Sequence, residues 1–226
     1  GYQIGQVLLG TATDLGNSAE TGVGMINIEK AIKGPAKFDW GDFDVAFNGG
    51  SVWSNDISGA GGIIKGGEGV LRLSGDNTFT GNTVINEGAV VVDGSNVTNV
   101  IVGHNGIFGG NGSVGSVTSE GIVHAGYPYS GTLTVNGNYV NNGGTFSAVL
   151  GSTLNVTGQA IINGGLLAVD GIEENYIRTG ETTILKAAEG VVGDFAETEM
   201  RSSYLVDAQT VRSPNSIGIK YDVKSM

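Results

Sequence analysis

The fold class this sequence predicts is all-β: a right-handed parallel β-helix, or β-solenoid, with a short helical N-terminal segment and a C-terminal β cap. Three observations carry that prediction. Glycine is abundant, with 41 copies against 3 prolines and no cysteine in 226 residues, while 39% of residues are hydrophobic. Collagen is excluded because no G-X-Y period exists, and disorder because Val, Ile and Leu fall in short regular runs. Second, from about Asp44 apolar runs of three or four residues alternate with Gly/Asn turns, without an amphipathic helix to serve as a crossover. Third, residues 80–94 (TGNTVINEGAVVVDG) align without gaps to residues 157–171 (TGQAIINGGLLAVDG), with eight of fifteen positions identical at a shift of 77 residues.

The elements follow in three textures. Residues 1–38 hold most of the helical signal: Ile4, Val7 and Leu8 lie at helical spacing before Gly10. Asn27 to Pro35 reads as one short helix, capped by Asn27, favoured at its C-terminal half by Lys30 and Lys33, and stopped by Gly34-Pro35. Residues 39–171 form the stalk, whose strands include 62–65, 70–73, 83–85 and 89–92. The turn glycines Gly88, Gly106, Gly121, Gly144 and Gly165 precede its apolar runs at steps of 18, 15, 23 and 21 residues. Those steps together make the 77-residue shift, so four coils of about 19 residues separate the two copies. Gly or Asn supplies positive φ at such corners, and inward side chains of stacked strands form apolar ladders. Some eight or nine coils, at about 4.8 Å each, reach about 40 Å. Residues 172–226 bring back aromatics and charges, with two or three longer strands near 203–222, and read as a cap over the last coil.

Charge and composition narrow the functions. Acidic residues outnumber basic ones 22 to 11, for a formal charge of −11, and no Lys/Arg cluster relieves that field, so no nucleic-acid partner is expected. The lack of cysteine removes disulfides and thiolate metal sites. Neither a signal peptide nor a run of 18 apolar residues is present, and Gly1 is read as a cut point in a longer chain.

Candidate sites are few. His104 and His124 lie two before Gly106 and three after Gly121, so the register does not stack them as a metal pair. Asp39, Asp42 and Asp44 are interrupted by Trp40 and Phe43, which suits a packed linker better than a calcium loop. Asn86 and Asn163 occupy equivalent coil positions and suit turn or ladder hydrogen bonds. Phe195, Tyr204 and Tyr221 read as a capping core in preference to a sugar-stacking set. No catalytic, cofactor-binding or metal-binding residue is assigned, because nucleophile activation needs a positioned base that neither histidine provides.

Residues 71–90 (LRLSGDNTFTGNTVINEGAV), preceded by Gly66-Gly-Glu-Gly69, resemble the passenger-associated repeat of autotransporters. Residues 183–222, opening on Thr183-Ile-Leu-Lys-Ala-Ala-Glu-Gly-Val-Val-Gly-Asp-Phe195, resemble the junction, or autochaperone, region of the same family. Residues 1–38 are similar to the end of a subtilisin-like protease domain, through Val7-Leu-Leu-Gly-Thr-Ala-Thr-Asp-Leu-Gly16 and Gly22-Val-Gly-Met-Ile-Asn-Ile-Glu-Lys-Ala-Ile32. The catalytic Asp, His and Ser segments of such a protease would lie upstream, and no G-T-S-M-A-x-P stretch occurs in this chain.

The resemblance implies a non-catalytic stalk, exported to the bacterial surface or the medium. It would be covalently linked to an upstream serine protease domain and a downstream outer-membrane β-barrel, and monomeric. On this reading 1–38 is the protease remnant, 39–171 the stalk and 172–226 the autochaperone-like cap, with Gly193 and Phe195 as folding residues beside the five turn glycines. Two other functions are carried: an adhesin or self-associating β-helix, and a polysaccharide-acting β-helix enzyme. The enzyme has little charge to draw on, since residues 44–171 hold only Lys65 and Arg72 as basic residues.

Overall fold

Among the described residues a full coil holds three short strands separated by glycine or asparagine corners, the first and last coils hold two, and successive coils pair strand on strand. The structure is a computed structural model that describes residues 2–170, 180–201 and 206–223. Three parallel ladders result. The first stacks Phe43–Ala46, Ile63–Gly66, 83–85, 100–102, Val117–Ser119, Tyr139–Asn142, Ala160–Asn163 and Val191–Asp194. The second stacks Gly50–Trp53, Val70–Leu73, 89–92, 107–109, Ile122–Ala125, Thr145–Val149, Leu166–Asp170 and Glu197–Arg201. A third runs through Asp76–Asn77, Ser95–Asn96, Ser113–Val114, Thr132–Val135, Thr153–Val156 and Gly180–Ala187. Thr83–Val92 and Val100–Gly110 turn the corner between the first two ladders without a break.

The glycine spacing is the ladder register. Gly88 pairs with Gly106, and the residues that follow Gly106, Gly121, Gly144 and Gly165 form one column through Ile107, Ile122, Thr145 and Leu166. Gly88 and Gly165 take φ of +69° and +83°, which only glycine adopts cheaply. The other three are not in the positive-φ region. At Gly106, Gly121 and Gly144 a Cβ would lie 2.5, 2.2 and 2.4 Å from a backbone carbonyl oxygen one coil away. The requirement there is close stacking, so positive φ explains only part of the glycine column.

Inside, the column Leu71, Val90, Phe108, Val123, Phe146 and Leu167 runs rung over rung, every member buried. Each such side chain contributes about 1.5–3 kcal/mol on burial, but only when a neighbouring coil covers it. Asparagines stitch the corner below the third ladder: Asn77 donates to Asn96 Oδ1 at 2.8 Å and accepts from Ile57 N at 2.9 Å.

The N-terminal end is closed by aromatics and three short helices, α1 (Tyr2–Gly10), α2 (Ser18–Thr21) and α3 (Ile28–Ala31). Phe38, Phe43, Trp53 and Phe79 pack with ring centroids 5.1–5.6 Å apart. Asn27 caps α3 through Lys30 N at 2.9 Å. The α-helix is one turn long, shorter than the Asn27–Pro35 pattern, because the bonds beyond it tighten to three residues, Lys33 N donating to Lys30 O and Gly34 N to Ala31 O, before Gly34 turns left-handed (φ +98°) against Trp53. Asn55 closes that end by donating to Lys30 O at 2.8 Å and Gly34 O at 2.7 Å.

At the other end the parallel order stops. Ser216–Val223 pairs antiparallel with Gly180–Ala187, and Val206–Ser213 pairs antiparallel with Ser216–Val223. This hairpin is the β cap of the predicted fold class. Tyr204, named in the sequence as part of the cap core, and the 171/172 boundary lie outside the described residues.

Candidate functional site

The outward face of the second ladder carries one cluster with catalytic residue types. His124 and Ser147 are register partners on neighbouring coils, and Ser147 Oγ donates to Asp170 Oδ2 at 2.9 Å while lying 3.4 Å from His124 Nδ1. The order is wrong for nucleophile activation. A triad needs imidazole between hydroxyl and carboxylate, so that the ring takes the serine proton. Here serine sits in the middle with its proton directed to Asp170. Ser147 is also 6% exposed, and its neighbour His124 is met edge-on at 5.5 Å by Tyr127 of the turn that follows. Burial pushes the His124 pKa below its ordinary value, against the smaller opposing effects of the Tyr129 backbone and the Asp170 charge. The cluster can fasten a turn to the coil; it offers no accessible nucleophile.

Asp170 is the repeat equivalent of Asp93, and both contact an arginine on a neighbouring rung. Asp93 meets Arg72, and Asp170 lies 4.0 Å from Arg201, its register partner. Hydrogen bonding to Glu199 is the main cause that raises the Arg201 pKa.

A second polar site lies inside. Lys65, fully buried in the first ladder, donates to Gly66 O and Gly67 O at 2.7 Å and to Glu87 O at 3.2 Å, with its ammonium 5.0 Å from the Phe47 ring centre. Burial lowers its pKa, and Glu87 opposes the shift. Three carbonyls and an aromatic face make a cage for the protein's own cation, and Gly88 leaves room for it: a Cβ there would lie 2.8 Å from Lys65 Nζ.

The other sequence-named residues are scattered by the coil. His104 lies 3.3 Å from Glu120, apart from the His124 cluster. Asp42 accepts from Gly62 N at 2.7 Å, and Asp44 pairs in register with Ile64. Asn163 donates to Asn142 Oδ1 at 2.9 Å. Phe195 stacks on Phe146 at 6.3 Å, Tyr221 is buried, and a Cβ at Gly193 would meet Ile162 O at 2.0 Å. Among the described residues no group of three or more His, Asp or Glu is placed to hold a metal ion.

Sequence reasoning missed the His124–Ser147–Asp170 row and an aliphatic file on the outer first-ladder face. The turn-glycine register contained the first, since His124 and Ser147 both fall three residues after their glycines. The second was visible as doublets such as Ile63-Ile64, Val84-Ile85, Ile161-Ile162 and Val191-Val192, where an inward-only pattern needs one apolar residue in two.

Comparison with known proteins agrees with this geometry. The passenger-associated-transport-repeat family matches residues 63–92, one and a half coils that contain both Lys65 and Gly88. The Neisserial autotransporter lipoprotein NalP of Neisseria meningitidis is 38% identical over 209 residues, covering 84% of this chain and 19% of the relative. An extracellular serine protease of Serratia marcescens is 28% identical over 186 residues, 74% of this chain and 17% of the relative. The adhesin BmaC autotransporter of Brucella suis is 34% identical over 113 residues, 49% of this chain and 3% of the relative. The chain thus spans less than a fifth of the length of these curated relatives. With the repeat, the relatives and the parallel coil in agreement, the chain belongs to the autotransporter passengers, as a β-helical segment exported through the outer membrane to the cell surface or the medium.

Proposed function

We propose that this segment is a non-catalytic stalk that carries an upstream subtilisin-like serine protease domain and, through its C-terminal cap, supports secretion and folding of the passenger. The observation that carries the reading is the apolar outer face of the N-terminal helices. Ile28 and Ile32 are 70% and 76% exposed, and Tyr2, Ile4, Met25 and Ile26 lie open as well. Together with Ile4 and Leu8, Ile28 and Ile32 border an apolar cleft of about 400 Å³. A contiguous apolar surface of this kind marks a missing partner, and residues 1–38 carry the resemblance to the end of a subtilisin-like domain. The name of the Serratia relative, an extracellular serine protease, supports the same activity.

The stalk part of the reading is supported by eight rungs in each of the first two ladders, about 34 Å from first to last at the usual strand spacing. The non-catalytic part is supported by the order of the Ser147 cluster and by its burial. Restoring the upstream sequence tests the proposal: hydrolysis of a peptide substrate that a serine-directed inhibitor abolishes is expected. A long chain without such activity would overturn the protease assignment. Export through a covalently linked β-barrel downstream, and a monomeric state, belong to the same proposal; sedimentation of the 226-residue chain checks the second.

A further inference from the structure

The outer face of the first ladder carries a file of β-branched side chains. Ile64, Val84 and Ile101 are successive register partners, and the file is interrupted by the exposed Thr118 before Val140, Ile161 and Val192 continue it. Its proximal half begins beside α1. A cleft of about 530 Å³ is bordered by Gln3, Asp44, Ala46, Ile64 and Asn86, and Gln3 also borders the apolar cleft between α1 and α3. The two clefts therefore share an edge, and the chain enters the structure at that edge.

We infer that the domain preceding Gly1 seats on both clefts at once. It covers the helices and also bears against the outer first-ladder face at Ile64, Val84 and Ile101, so the first coils are its foundation and the stalk proper starts near Thr118. This rests on the proposed presence of an upstream domain. The choice of occupant follows from tethering and size. A domain joined at Tyr2 is held beside this face at an effective concentration in the millimolar range, so a small apolar contact suffices. A second copy has no such advantage, and three side chains in single file fall far below the roughly 800 Å² per partner of a stable interface. The break at Thr118 gives the contact a natural limit.

Single substitutions Ile28→Cys, Ile64→Cys, Ile101→Cys and Ile161→Cys are introduced into the 226-residue chain, which has no cysteine, and into the chain with its upstream sequence in a background free of other cysteines. Maleimide labelling rates are then compared. Ile101 is already 40% exposed, so that variant keeps the test sound if Ile64→Cys disturbs the ladder. Labelling at 28, 64 and 101 is expected to slow at least tenfold in the long chain, with 161 unchanged. Slowing at 28 alone would overturn the foundation while leaving the upstream domain in place. No slowing at any position would remove the upstream domain from this surface altogether. Protection at 64 and 101 that appears in the 226-residue chain as its concentration rises would overturn the inference in favour of a second copy.

Discussion

At the scale of single residues, two demands fall on different glycines and can be separated by substitution. Gly143 has φ +77° and open space, with no atom within 4 Å of where a Cβ would stand, whereas a Cβ on Gly165 (φ +83°) would lie 2.1 Å from Gly144 O. Gly143→Ala should cost only the left-handed strain, about 1–2 kcal/mol. Gly165→Ala adds the forced parting of two rungs and should cost roughly twice that or more. Urea unfolding followed by far-UV circular dichroism reads both, and equal midpoints would show that stacking is not the constraint. His124 gives a second test. Its folded pKa is lowered by burial, so between that value and the unfolded value of about 6.5 the unfolded chain binds more protons. Its contribution to stability is therefore complete above about pH 6.5 and shrinks as pH falls through that window. Asp170 and the Tyr129 backbone act against the shift and limit its size. Replacing His124 with Gln should flatten the dependence of the urea midpoint between pH 7.5 and 5; an unchanged slope would assign the dependence to other groups.

At the scale of elements, the cap hairpin solves an edge problem. Gly180–Ala187 ends the third ladder, and Ser216–Val223 covers its edge by antiparallel pairing. Arg212 ties the hairpin to the last coil by donating to Gly193 O at 2.8 Å and Val191 O at 3.1 Å and by meeting Asp194. Asn215 adds bonds to Ala187 O and Ala188 O. Removing residues 206–226 should leave that strand open to pair with another chain, seen as concentration-dependent association in sedimentation and faster proteolysis. Arg212→Ala should cost about 1 kcal/mol without association; a truncated chain that stays monomeric and protected would remove the capping role. The strands and their register were legible in the sequence, because turn glycines and short apolar runs are set by local sterics and repeat with each coil. Two or three longer strands were also legible near 203–222, where Val206–Ser213 and Ser216–Val223 lie outside the coil repeat. The antiparallel direction of the cap was not, since pairing sense depends on what closes the edge and leaves no mark in periodicity. The inward position of Lys65 was also hidden: a lysine in a β run reads as an outward residue until the carbonyls of Gly66, Gly67 and Glu87 are seen to converge on it.

At the scale of the whole molecule, stability in a stack is passed only between neighbouring coils, so each end is as firm as what covers it. The C-terminal end has its hairpin. The N-terminal end has α1, α2 and α3, a lid with exposed apolar side chains that is tied to the first coil by Asn55 on Lys30 O and Gly34 O, by Ser54 N on Lys33 O, and by Gly34 against Trp53. Both tryptophans of the chain, Trp40 and Trp53, lie at that end, so their fluorescence reports the first coil while far-UV circular dichroism reports the ladders as a whole. In the 226-residue chain the fluorescence transition in urea should therefore come at a lower concentration than the dichroism transition. The lag is a departure from two-state behaviour expected when one end frays before the rest. Restoring the upstream sequence should bring the two transitions together, because the lid then has a domain above it. Coincident transitions in the short chain would mean that the helices already close the stack, and would leave the upstream domain as cargo with no part in the stability of the stalk.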